Sequence, residues 1–207
     1  MSGTLSSAAR KRGRPTAEER EQRRDQILDV AVALFVSNGY SQVTIEQIAA
    51  TSRVTKRTIY TYFGDKAEVF TAAVERFRIR ALDDFESGEG SLEDVATRLV
   101  FVLHSDDAVG LHRLMIGESA QFPDLADRFY ASGPGGYIRL LAGCLGERLP
   151  SHDRGHLAEA LFGLLLGEDH RRRLLGLRPA PTPDAARDHA RAALALLQIV
   201  DGAEGHR

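Results

Sequence analysis

The chain has 207 residues, 43% of them hydrophobic, with 27 Lys and Arg against 29 Asp and Glu, a net charge of -2, one Cys and no Trp. That hydrophobic fraction at this length supports one large domain or two small ones with a buried core and excludes a disordered chain. The lone Cys144 excludes a disulfide framework and a cysteine-based metal site, and it fits a reducing compartment.

Residues 1–16 lack the apolar segment of a signal peptide, and the longest strongly apolar run, Leu161 to Leu166, is too short to span a bilayer. The expectation is a cytoplasmic protein with no membrane partner. The near-neutral total conceals an uneven distribution. Residues 1–66 carry 11 basic against 7 acidic side chains, a net of +4, and the other 141 carry 16 against 22, a net of -6. Arg10, Lys11, Arg12 and Arg14 occur without any acid in a Gly, Ser and Ala setting, so residues 1–15 are expected to form a flexible basic arm. Arg12-Gly-Arg-Pro15 resembles an AT-hook core, two guanidinium groups on a backbone thin enough for a narrow A·T minor groove.

The first helix starts after Thr16, which caps it, with Glu19 completing a capping box. Ile27, Leu28, Ala31, Leu34 and Phe35 recur at helical spacing, and Asn38-Gly39 supplies the stop. Thr44-Ile-Glu-Gln47 repeats the capping box and opens a second, short helix. After Ser52-Arg53-Val54, Thr55 caps a third helix through Phe63, and Gly64-Asp65 separates it from a helix running from Lys66 to about Phe85. Two short helices around a tight turn suit helix-turn-helix geometry, giving a reading domain at 16–64 and a connecting helix at 65–86. Within the third helix Val54, Ile59 and Phe63 form an inner face, leaving Lys56, Arg57, Thr58 and Thr61 outward with Tyr60 and Tyr62 at the edges. Lys56 and Arg57 can present donors to major-groove base edges, Arg best because its planar fork matches guanine O6 and N7. Thr55, Tyr60 and Lys66 suit phosphates.

Residues 87–202 continue in helical pattern with no strand alternation, so the fold class is all-α. Helices are predicted from Ser91 to about His104, from Gly110 toward Phe122-Pro123, from Asp124 to Gly133, from Tyr137 to about Leu149, from His156 to Leu175 and from Asp184 to Val200. Gly133-Pro-Gly-Gly136 is read as a chain break and Arg178 to Pro183 as a connector that cannot continue either flanking helix. Residues 203–207 are expected to be a disordered tail.

Residues 24–70, with Ile27-Leu28, Ala31, Leu34-Phe35, Gly39-Tyr40, Val43-Thr44, Ile48-Ala49, Val54, Ile59-Tyr60, Tyr62-Phe63, Lys66 and Val69-Phe70, resemble the DNA-binding domain of the TetR family of bacterial transcriptional regulators. The resemblance places Thr44, Thr55, Lys56, Arg57, Thr58, Tyr60, Tyr62 and Lys66 at or beside a palindromic double-stranded operator. Two positions depart from the family pattern: Arg53 stands where Gly is usual in the turn, and Tyr62 where His is frequent. Leu111 to Tyr130 resembles the AefR-like branch of the family. That implies a homodimer and a cavity for a small-molecule effector among the central helices, lined by Phe101, His104, Met115, Glu118, Phe122, Tyr137 and Phe162. It also implies a two-fold interface of the last two helices, through Leu157, Leu161, Leu164, Leu165, Ala193, Leu194 and Leu197, the alternative being ordinary core packing within one subunit.

An enzyme is not indicated, because no Ser/His/Asp motif, phosphate loop or Gly-rich dinucleotide signature occurs. No cofactor is implied. His152 and His156 share helical i,i+4 spacing but lack an identifiable third ligand, so no metal site is assigned. His170 before Arg171-Arg-Arg173 reads as a solvated helix end, and Cys144 as a small core residue. The expectation is a DNA-binding repressor released by a small molecule. The alternatives are a sequence-tolerant nucleoid-type binder, which would lose a palindromic site to excess random DNA, and a helical small-molecule-binding protein or enzyme indifferent to loss of Lys56 and Arg57. Deleting residues 1–14 is expected to weaken DNA binding and to flatten its salt dependence, by roughly 0.9 in logarithmic slope for each phosphate that the arm neutralises. An unchanged slope in a salt titration would assign the arm to solubility alone.

Overall fold

The computed structural model describes residues 16–80, 91–146 and 151–199. The basic arm with Arg10, Lys11, Arg12 and Arg14, the connecting helix beyond residue 80 and the tail at 203–207 lie outside the described residues. Ten helices and no strand occur among the described residues.

The first three helices follow their capping signals. Thr16 caps α1 (Ala17–Asn38), with the Thr16–Glu19 capping box formed. Thr44 caps α2 (Ile45–Thr51) through a second box with Gln47, and Thr55 caps α3 (Lys56–Tyr62) by accepting from the Thr58 N–H. Between α2 and α3 Arg53 adopts φ +56, the left-handed conformation that glycine takes without strain; the Cβ costs roughly 1–2 kcal/mol there. α4 (Lys66–Arg80) packs against α1. Arg76 staples the two, donating 2.7 Å hydrogen bonds to the Asp25 carbonyl and to Asp29 Oδ1.

The remaining helices are α5 (Leu92–Leu103), α6 (Asp106–Glu118), α7 (Pro123–Ser132), α8 (Pro134–Cys144), α9 (Ser151–Leu174) and α10 (Pro183–Leu196). Several boundaries differ from the periodicity, α10 ending at Leu196 before Val200 among them. α6 begins four residues before Gly110, because Ser105 caps it on the Ala108 N–H and Asp106 and Asp107 occupy its first turn. The break at Gly133–Gly136 shrinks to Gly133 alone: Pro134 takes the first helical position, where its missing N–H costs nothing, and Gly135 and Gly136 continue the helix. α9 starts at Ser151 and breaks internally at Gly167, with φ 58 and ψ -162. Among the described residues no helix is long and apolar enough to cross a membrane.

Two apolar cores form, and they do not divide where the chain passes from α4 to α5. The first joins Ile27, Leu28, Phe35, Ile48, Ile59 and Phe70 of α1 to α4 with Leu111, Met115 and Leu125 from α6 and α7. The second joins α5, α8, α9 and α10 through Leu99, Leu141, Leu161, Leu165, Ala190 and Leu194. α6 lies so close to α1 that a Cβ on Gly110 would sit 2.7 Å from Val36 Cγ1. The first core centres on aromatic rings: Phe70 meets Phe35 edge-on at 5.6 Å, Tyr40 at 5.7 Å and Phe129 of α7 at 6.3 Å. Phe70→Ala is therefore expected to remove about 3–5 kcal/mol of stability, read by urea unfolding. A loss below about 1 kcal/mol would show that this cluster does not hold α4 to α7.

Candidate nucleic-acid interface

α3 stands on a capped scaffold. Its Ile59 is buried against the core, and Thr55 Oγ1 and Thr58 Oγ1 lie 2.9 Å apart, tying the first turn together. Arg57 is exposed, Tyr60 is 52% exposed, and Tyr62 is half-buried beside Phe63. Lys56 is exposed but held 2.8 Å from Glu46 of α2, whose carboxyl is pulled below the usual range mainly by that hydrogen bond. Thr44 is exposed and its hydroxyl is engaged in the α2 cap. A groove beside α3 is lined by Glu19, Gln22, Arg23 and Gln26 of α1 together with Arg53, Val54, Thr55, Thr58 and Tyr62. Arg23 and Arg53 thus join the basic face, which residue order alone does not reveal because the α1–α3 crossing decides it.

Lys66 is engaged within the fold. Its ammonium turns inward, donating to the Tyr40 carbonyl at 2.8 Å and the Val43 carbonyl at 2.9 Å, and lies 4.2 Å from the Tyr40 ring centroid. Burial pushes its pKa down. These bonds use two of its three donors on the α1–α2 turn, so it clamps that turn in addition to any phosphate contact.

The expected cavity residues divide similarly. A cavity with about 50 Å³ of free volume lies between α4, α6, α7, α8 and α9 and the end of α5. Tyr137 and Phe162 line it, with Val74 and Phe77 of α4, Leu111 and His112 of α6, Phe129 of α7 and His170 of α9 among the other walls. The remaining five expected liners lie elsewhere. Phe101 is 46% exposed, because Val95, Leu99 and Val100 turn the opposite face of α5 inward. Met115 packs in the first core. Phe122 meets the Tyr40 ring at 5.1 Å. Glu118, at the end of α6, accepts hydrogen bonds from the N–H groups of Tyr40 at 2.7 Å and Ser41 at 3.2 Å. His104 is buried behind the cavity, its Nε2–H donating to the Leu165 carbonyl at 3.1 Å, and burial pushes its pKa down. Helical spacing alone cannot separate cavity-facing from core-facing side chains on α6, since both faces are buried.

His170 and Arg173 correct a second expectation, since they are 5% exposed instead of solvated. Arg173 donates to the His104 and Arg178 carbonyls, both at 2.9 Å, and pairs with Asp106 at 2.7 Å. His170 Nε2 lies 3.0 Å from His112 Nδ1. One turn before the break at Gly167 the Leu164 carbonyl accepts from His189 Nε2–H at 2.9 Å. Among the described residues no cluster of His, Cys, Asp and Glu could hold a metal ion. Burial pushes the half-buried Cys144 thiol up, away from reactive thiolate.

Of the expected interface residues on α9 and α10, Leu161, Leu165, Ala193 and Leu194 are buried in the second core of the same chain, and Leu157, Leu164 and Leu197 are half-buried. The faces left outside carry Ala160 and Gly163 on α9 and Ala192, Ala195 and Leu196 on α10, with Leu196 72% exposed. The inward positions of α10 are taken by α5, which packs along it.

A family model for bacterial regulatory proteins of the tetR family matches residues 27–73, and one for the C-terminal domain of AefR-like transcriptional repressors matches residues 90–198. The chain belongs to the TetR family. The HTH-type transcriptional regulator SrpR of Pseudomonas putida is 32% identical over 106 residues, 50% of this chain and 50% of that protein. The chain thus spans about half the length of that curated relative. A TetR-family transcriptional regulator of Mesorhizobium loti shares the fold with a TM-score of 0.65 at 26% identity, over 88% of this chain and 98% of that one. The flavonoid-responsive regulator FrrA matches with a TM-score of 0.60 at 26% identity, over 89% and 100% respectively. The family consists of transcription regulators, not enzymes.

In this TetR-family chain Glu118 and Lys66 grip opposite polar groups of one turn, the segment leading into α2. Glu118→Ala is expected to cost about 1–3 kcal/mol, the range for charge-assisted hydrogen bonds, read as a lower urea midpoint. Glu118→Gln should lose less, since its amide oxygen still accepts. Equal stability of Glu118→Ala and wild type would show that the clamp does not hold the turn.

Proposed function

We propose that this chain is a sequence-specific DNA-binding transcriptional repressor whose α3 enters the major groove of an operator half-site and whose grip is released by a small-molecule effector. The observation that carries the reading is the exposed first turn of α3, where Lys56 and Arg57 project beyond the Thr55 cap. Arg57 is assigned to a base edge, because its fork matches guanine. Thr44, Thr55, Thr58, Tyr60 and Tyr62 are assigned to the backbone or groove wall beside it, with Arg23 and Arg53 added from the groove. Glu46 neutralises Lys56 in the free protein, so DNA and Glu46 compete for the same ammonium.

A single helix-turn-helix reads one half-site, and a second copy has to lie roughly 34–36 Å away along a palindrome. The outward faces of α9 and α10, with small residues around the exposed Leu196, are the surface assigned to that homodimer. The reading domain is assigned to residues 16–64 and the sensing and dimerising domain to 87–202, with the cytoplasm, where bacterial DNA resides, as its site of action.

Release follows from the cavity walls. Its free volume of about 50 Å³ is well below the ~150 Å³ cavity that holds benzene, so an effector must displace side chains. Val74 and Phe77 belong to the helix that begins at Lys66, and Leu111 and His112 to the helix that ends at Glu118. A ligand that favours displaced walls favours a displaced turn before α2, and its differential affinity for the two states sets the loss of operator affinity.

Arg57→Ala is expected to cost about 1–3 kcal/mol on an operator selected from random DNA, while leaving binding to non-specific DNA nearly unchanged. Equal losses on both DNAs in a fluorescence-anisotropy titration would favour the sequence-tolerant binder.

A further inference from the structure

We propose that the cavity selects an uncharged, largely apolar molecule bearing a hydroxyl, an alcohol or a phenol, and holds that hydroxyl between Tyr137 Oη and His170 Nδ1. This rests on reading the cavity as the effector site and supplies its chemistry.

Tyr137 and His170 are 2% and 5% exposed and both line the cavity. Tyr137 Oη and His170 Nδ1 are buried without a hydrogen-bond partner among the described residues. Leaving such an atom unsatisfied costs roughly 1–3 kcal/mol, and two on residues that line one cavity point to a ligand that completes them. Apart from these residues and His112 the lining is apolar.

The lining offers an ionised ligand no countercharge. Arg78, the cation facing Tyr137, pairs with Glu75 at 3.1 Å, and Arg173, beside His170, pairs with Asp106 at 2.7 Å. Burial raises the Tyr137 hydroxyl far above its ordinary range, leaving it a neutral donor and acceptor. Burial, reinforced by His104, His112 and Arg173, pushes His170 down to about 4, so it is neutral at pH 6–8. No charged side chain lines the cavity to receive a carboxylate or an ammonium, and either would lose its hydration uncompensated.

A hydroxyl is the group that fits both atoms in either state of the histidine pair. In the 3.0 Å contact between His112 Nδ1 and His170 Nε2 one ring must donate. When His112 donates, His170 carries its proton on Nδ1 and is a donor toward the cavity; when His170 donates, its Nδ1 is a bare acceptor. A ligand hydroxyl both donates and accepts, so it completes His170 in either tautomer and takes or gives the second bond at Tyr137.

The test is calorimetric titration of the full chain and of Tyr137→Phe with phenol, cyclohexanol, toluene and benzoate at pH 6, 7 and 8. Phenol or cyclohexanol is expected to bind more tightly than toluene and benzoate, with affinity constant across that pH range. Tyr137→Phe should weaken the hydroxylated probe by roughly 3- to 10-fold, leave toluene unchanged, and raise the melting temperature of the unliganded protein, because an unsatisfied buried hydroxyl is gone. A merely structural tyrosine would not combine higher stability with weaker binding of one probe class. Equal affinities for phenol and toluene in both proteins, tightest binding by benzoate with affinity rising as pH falls, or heat from none of the probes would each overturn the proposal. Phenol or cyclohexanol binding that obeys this pattern yet leaves operator affinity untouched would uphold the hydroxyl site and overturn the effector role instead.

Discussion

The arrangement of this chain depends on one turn. Between α1 and α2, the Tyr40 N–H is held by Glu118 from α6 and its carbonyl by Lys66 from α4, so a single peptide segment is gripped by opposite charges from two helices. The Tyr40 ring fills the space between Phe35, Phe70 and Phe122, adding apolar contact to the same point. Because α2 starts at the end of this turn and α3 packs on α2, the position of the exposed α3 face is set here.

The helices that supply those two charges also wall the cavity. α4 offers Val74 and Phe77 to it and α6 offers Leu111 and His112. Close packing makes such walls poorly compressible, so a guest larger than the free volume shifts whole helices more readily than it dents them. Connectivity alone singles out α4 as the lever, since it follows α3 directly. The Glu118 contact spans 78 residues of sequence and makes α6 a second lever acting on the same turn.

How much of the fold and the site is legible in the sequence depends on whether a residue's role is local. The capping boxes at Thr16 and Thr44 and the cap at Thr55 are governed by neighbours within a few positions, and each is readable from spacing. Lys66 and Glu118 escape such reading because their partners, the backbone groups of residues 40–43, are distant in sequence and belong to a turn that periodicity does not describe. The apolar faces of α9 and α10 are legible as apolar but not as inward, since an exposed interface and a buried core demand the same side chains. His170 and Arg173 have the pattern of a charged helix end, yet the break at Gly167 and the contacts with α5 and α6 enclose them.

The sequence by itself determined the all-α class, the helix-turn-helix with its basic exposed turn and the uneven charge between the two ends of the chain, because caps, periodicity and composition act over short range. Tertiary structure alone decided which charged side chains face outward and which clamp a turn, which of several buried faces bounds a cavity, and that Tyr137 and His170 both line it with polar atoms unsatisfied. Those outcomes follow from how helices cross, and the crossings are fixed by the summed packing of residues far apart along the chain.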